Sequence, residues 1–149
     1  MTDHQVPKTL KEQVDRNAQI RGDCIWLISP ETGEEISFSE AQSRIEDIAV
    51  HLLGFGLKEG ASIAIAAPNS VGSCLMFMGV VYAGFVAVPL NLVAGPAIIG
   101  YTLRHSEADV IFMADDCKNL IQCAQDEEGL QLRTTRLDLD KGPVWDGSA

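Results

Sequence analysis

The chain has 149 residues, 46% of them hydrophobic and 21% charged, a globular composition and enough length for one domain to bury a core without disulfides or metal. Twenty-one acidic against eleven basic residues leave a formal net charge of −10, and no Lys/Arg cluster offsets it. This disfavours phosphate backbones and anionic lipids, so nucleic acid is not an expected partner. The four cysteines, Cys24, Cys74, Cys117 and Cys123, include no C-x-x-C pair. They read as free thiols in a reducing, cytoplasmic compartment, and the polar Met1–Leu10 carries no secretory apolar region.

In chain order, Thr9 to Ile20 reads as a short amphipathic helix on Leu10, Val14, Ala18 and Ile20. Cys24–Ile28 and Glu35–Phe38 read as a small N-terminal β-hairpin across the turn Pro30-Glu31-Thr32-Gly33. Ser39-Glu40-Ala41-Gln42 has the form of a capping box. The helix it opens places Ala41, Ile45, Ile48, Ala49, Leu52 and Leu53 on one face, with a Glu40–Arg44 pair on the wet face. Ser62–Ala66 is a strand, and Asn69 or Ser70 caps the helix Val71–Ala83, which is apolar nearly all round and therefore expected to be buried. Gly84 ends that helix, Phe85–Val88 is the next strand and Pro89 closes it. A helix from Pro96 to His105 follows, then a buried strand Val110–Ala114, a helix Cys117–Gln125 and a last strand within Leu132–Leu139. Residues 141–149 read as a loop or tail. From Gly60 to Leu103 the chain carries no Asp, Glu, Lys, Arg or His. Gly84 and Pro89 interrupt its most apolar part, which reads as buried helix, turn and strand and not as a membrane span. Short apolar strands alternating with helices predict an α/β fold: a doubly wound, mostly parallel sheet covered on both faces, in one domain over 1–149.

Laid out in this way, several segments resemble the adenylate-forming (AMP-binding) enzymes, the superfamily of acyl-CoA synthetases and acyl-AMP ligases. Glu34–Ala41 is similar to the first core motif, L-T/S-Y-x-E-L, with Phe38 as the aromatic and Ala41 in place of Leu. Gly54-Phe55-Gly56-Leu57-Lys58-Glu59-Gly60 resembles the G-V-K-x-G-D turn, with Ala61 in place of the Asp, and Pro68-Asn69-Ser70 the frequent P-N-S. Val81–Asn91, with Gly84 and Pro89, resembles the second core motif, and Tyr101–Asp109 the helix Y-x-L-x-D-S-x-A. Five motifs in family order cover Thr9 to Asp116.

The resemblance implies a partial N-terminal subdomain of a parent enzyme that activates a carboxylic acid with ATP and Mg²⁺ as an acyl-adenylate. The acyl group then passes to coenzyme A or a carrier-protein thiol. The remainder of that enzyme is the implied partner. The Ser/Thr/Gly-rich phosphate loop and the later catalytic motifs have no counterpart among the 149 residues, so the chain by itself is expected to be inactive, with no catalytic, cofactor-binding or metal residue of its own. The alternative is a natural non-catalytic module. Asp115-Asp116 follows a strand but does not complete a Mg²⁺ site, since Asn69, Asn91 and Pro89 occupy the neighbouring strand ends, and Asp116 reads as a helix cap. His51 and His105 read as structural or surface residues near helix ends, and Met76, Phe77 and Met78 as core. Gly72, Gly79 and Gly84 form neither G-x-G-x-x-G nor a P-loop. Asn69 is the one polar strand-end residue able to face an acyl site, with capping as the preferred role. An apolar surface meant for the rest of the enzyme is expected to make the chain associate as a homodimer.

Overall fold

The computed structural model describes residues 6–145. Helix α1 (Leu10–Arg21) starts at Thr9, whose hydroxyl accepts the Glu12 N–H. Strands β1 (Ile25–Ile28) and β2 (Glu35–Ser37) form the antiparallel hairpin. Helix α2 (Phe38–Leu53) buries Ala41, Ile45, Ile48, Ala49 and Leu52, while Leu53 is exposed. Strand β3 (Ser62–Ala66) leads through α3 (Val71–Tyr82) to β4 (Val86–Pro89), and α4 (Pro96–His105) leads to β5 (Ala108–Met113). A 3₁₀ turn at Asp115–Cys117 precedes α5 (Lys118–Glu128), followed by β6 (Arg133–Asp138) and the two-residue β7 (Gly142–Pro143). Residues 146–149 of the expected tail lie outside the described residues.

The main sheet has the order β4-β3-β5-β6-β7, parallel except for the β6–β7 pair. Its strands are near-uniformly apolar because both faces are covered. Ile63, Ile65, Val110, Phe112 and Leu137 meet α1, α2 and α3 on one face. Ala64, Ala66 and Ile111 meet Ile99 and Leu103 of α4 and Ile121 and Ala124 of α5 on the other. The sheet is therefore doubly wound, with the hairpin as a separate two-stranded sheet. Among the described residues no helix is long and apolar enough to cross a membrane.

Two glycines set helix positions. A Cβ at Gly72 would stand 2.1 Å from the Asp138 carbonyl oxygen, and one at Gly79 would stand 2.4 Å from Ile48 Cγ2. The first lets α3 begin against the end of β6, where the Gly72 N–H donates to the Leu139 carbonyl at 2.7 Å. The second lets α3 lie close on α2.

Four local expectations are corrected. The α2 cap is Ser37, which accepts the Glu40 N–H, and not Ser39. Both serines fit S-x-x-E/Q, and the earlier start lets Phe38 stack on Trp26, with ring centroids 5.9 Å apart. Arg44 ignores Glu40; it donates to the Asp140 carbonyl at 2.8 Å and lies 3.8 Å from Glu34. The α5 N-cap is Cys117 with no side-chain cap bond, because the 3₁₀ turn carries Asp115 and Asp116 upstream of the helix. Finally, α3 is not buried all round: Phe77 is exposed and Cys74 and Met78 are half-buried.

Candidate functional site at the carboxyl edge of the sheet

In an open parallel sheet, ligands sit outside the carboxyl ends of the strands, where successive connections leave in opposite directions. Here β3 connects through α3 to β4 on one side, and β5 connects through α5 to β6 on the other. The crevice position therefore falls between β3 and β5, flanked by the loops Ala67–Ser70 and Ala114–Cys117.

On the β4 side of this point a cavity of about 410 Å³ opens between α3 and the strand ends. Ile65, Cys74, Phe77, Pro89 and Leu90 form its apolar wall, and Asn69, Ser70 and Ser73 its polar rim. Ser70 and Ser73 are occupied by a reciprocal capping box: each backbone N–H donates to the other's hydroxyl, at 2.9 and 3.1 Å. Asn69 is exposed in the loop and does not cap. Burial pushes the Cys74 thiol above its ordinary pKa, which disfavours the reactive thiolate.

On the β6 side, a hollow is lined by Asp115, Asp116, Arg136, Asp138 and Asp140. The Asp115 carboxylate accepts from Arg136 at 3.1 Å. Asp138 accepts the N–H groups of Lys141 and Asp140, both at 2.9 Å, and these bonds hold its carboxyl below the ordinary value. Among the described residues no group of three or more His, Cys, Asp or Glu could hold a metal ion.

A nucleotide phosphate needs free amide donors such as those of a helix N-terminus. The α3 amides of Gly72, Ser73 and Cys74 donate to the Leu139 carbonyl, the Ser70 hydroxyl and the Ser70 carbonyl. At α4 the first residue is Pro96, which has no N–H. These residues do not offer a phosphate a set of free donors.

His51 and His105 lie away from this edge. His51 stacks on Trp145, with centroids 4.7 Å apart, and His105 stacks on Tyr101 at 5.5 Å. Met76 is fully buried. Cys74 and Phe77 are the residues that sequence reasoning missed as cavity-lining. A helix apolar on every side carries no stripe to show which side stays open.

Residues 9–148 match the AMP-binding enzyme family. The chain is 27% identical over 131 residues to sulfoacetate–CoA ligase of Cupriavidus necator, covering 88% of this chain and 26% of that protein. It is 28% identical over 110 residues to 4-hydroxybenzoate–CoA/benzoate–CoA ligase of Rhodopseudomonas palustris, covering 73% of this chain and 20% of the relative. The chain thus spans about a quarter, or less, of the length of these curated relatives. Its fold is similar to part of the inhibitor-bound N-terminal domain of FACL13 from Mycobacterium tuberculosis, at TM-score 0.79 and 21% identity over 89% of this chain and 34% of that one. With the family pattern running through nearly all of its elements, from the α1 cap to the tail beyond β7, the chain belongs to the AMP-binding enzymes.

Proposed function

We propose that the chain is the N-terminal portion of an ATP-dependent acid–thiol ligase. The parent reaction joins a carboxylate to the α-phosphate of ATP with release of pyrophosphate. The acyl group of the adenylate then passes to a thiol, of coenzyme A or of a carrier protein, with release of AMP. The observation that carries the reading is the family match over residues 9–148, whose relatives are named as acid–CoA ligases. ATP, Mg²⁺ and the thiol acceptor are proposed for the whole enzyme. The 149 residues form one α/β domain, part of a larger AMP-binding domain, and supply no catalytic side chain. Their part is to shape the carboxyl edge of the sheet against which the rest of the enzyme packs. Its partners are that remainder and, for the chain by itself, a second copy. Four free cysteines support a reducing, cytoplasmic setting.

Acid-dependent ATP–pyrophosphate exchange tests the reading on two proteins: the 149-residue chain, and the product of the source reading frame read past codon 149. The chain alone is expected to show none. The longer product is expected to exchange with at least one of sulfoacetate, benzoate and a long-chain fatty acid. Exchange by the chain alone above a mock preparation, or a stop directly after codon 149, overturns it.

A further inference from the structure

The first core motif ends in Leu, and this chain has Ala41 there. Ala41 is 2% exposed on α2 and stands in the wall of a hollow of about 220 Å³. Leu at this position would extend an isopropyl group beyond the Ala methyl, so the chain leaves space where the motif supplies side chain. Four elements wall the hollow: Val14 comes from α1, Trp26 from β1, Ala41 and Ile45 from α2, and Met78 from α3. It is a recess within one packed unit, and it shares no wall residue with either hollow at the carboxyl edge of the sheet.

The lining favours an aromatic ring. Trp26 and Phe38 stack in its wall, with centroids 5.9 Å apart, and the Met78 thioether offers a polarisable surface to a ring. No ionisable side chain is among the lining residues, so a charged ligand would lose hydration without gaining a counter-charge. The rim is polar. Gln13, which is exposed, and Asn17 lie one turn apart on α1, and Gln13 Nε2 donates to Asn17 Oδ1 at 3.0 Å. Gln13 Oε1 and Asn17 Nδ2 remain side by side as one acceptor and one donor. An apolar cavity of about 150 Å³ lined by Leu, Ile and Phe stays dry and takes up benzene. The larger hollow has room for such a ring with a small substituent.

We propose that this hollow binds a small uncharged aromatic molecule whose substituent both donates and accepts hydrogen bonds, a primary carboxamide being the simplest. The ring fills the space beside Ala41 and lies against Trp26. The substituent donates to Gln13 Oε1 and accepts from Asn17 Nδ2 at the rim. The site is complete within the walls that α1, β1, α2 and α3 supply. It stands independently of the ligase reading, since a carboxamide has no carboxylate to activate.

Benzamide is the probe, titrated to millimolar concentration into the full 149-residue chain and followed by calorimetry and NMR. The chain has two tryptophans. The indole N–H signal of Trp26 is expected to shift and saturate, and that of Trp145, which stacks on His51 at the other end of α2, to stay in place. Benzoate, alike in shape but charged, is expected to bind at least about tenfold more weakly. Ala41→Leu fills the hollow and is expected to abolish binding, with circular dichroism and a urea melt showing a folded chain. Gln13→Ala, at an exposed position, is expected to weaken benzamide roughly five- to tenfold through the lost hydrogen bond and to leave toluene unchanged. Absence of saturable binding, a shift confined to Trp145, benzoate binding as tightly as benzamide, or a folded Ala41→Leu chain that still binds overturns the proposal. Should Ala41→Leu not fold, an unchanged benzamide affinity in Gln13→Ala overturns it.

Discussion

Tyr82 joins three helices through one hydroxyl. It donates to Asp15 of α1 at 2.7 Å, and its oxygen lies 3.1 Å from Glu46 of α2. Asp15 also accepts from Gln42 at 3.0 Å and Lys11 at 2.9 Å. Burial raises the Asp15 carboxyl, but the bonds from Tyr82, Gln42 and Lys11 together outweigh it and hold the group below its ordinary value. Burial first, and then the bond to Asp15, pushes the Tyr82 phenol far above its ordinary value. The signs follow from linkage. The Asp15 contribution to stability is present above the unfolded carboxylate pKa and fades as pH falls through the lower folded value. The Tyr82 contribution is present below the unfolded phenol pKa and fades as pH rises above it, because only the unfolded state then ionises. Tyr82→Phe is expected to cost about 1 kcal/mol at neutral pH, a partly exposed bond to a charged acceptor being worth that order. Urea melts at several pH values check it: the gap between wild type and variant should shrink toward acid and again above the phenol pKa. A gap independent of pH would remove the network from the account.

Among the elements, α3 depends most on what it touches. Its sequence has a capping box at Ser70 and no charged residue, so local signals set its start and its apolar character but not which side stays open. They do not say that its first turn abuts β6 or that Gly79 abuts α2. Gly72→Ala is expected to destabilise by roughly 3 kcal/mol, since the clash is with a backbone carbonyl that cannot rotate away. Gly79→Ala should cost about 1–2 kcal/mol, because the clash is with the Ile48 side chain. Both are measured as a fall in urea midpoint at unchanged m-value. The reverse ranking would mean that the β6 end yields more readily than the α2–α3 contact.

The whole molecule is closed by the segment after β6. Arg44 holds the Asp140 carbonyl, the Val144 N–H donates to the Arg136 carbonyl, and Trp145 stacks on His51. Trp145 also meets Phe55 and Phe112 edge-on, each at 5.8 Å. A stretch that reads locally as loop thus covers the same core face as α2. Trp145→Ala is expected to cost roughly 2 kcal/mol, from lost burial of a half-buried ring plus aromatic contacts worth about 0.5–1.5 kcal/mol each. A loss under about 0.5 kcal/mol, the range of ordinary surface changes, would show that the clasp is not needed.

By itself the sequence determined the types of α1–α5 and β1–β6, their boundaries to within about three residues, and the doubly wound class, because apolar period, glycine, proline and serine act within a few residues of one another. Pro96–His105 and Ser62–Ala66 were legible for that reason. So were the strand ends that frame the carboxyl edge. The tertiary structure decided what those ends can do. Asp115 turned to Arg136, Arg44 to Asp140, and the α3 amide of Gly72 to the Leu139 carbonyl, pairings that join segments 21, 96 and 67 residues apart. Whether a polar group at a strand end is free for a ligand depends on which distant group reaches it first. That competition is settled by packing, which no local pattern encodes.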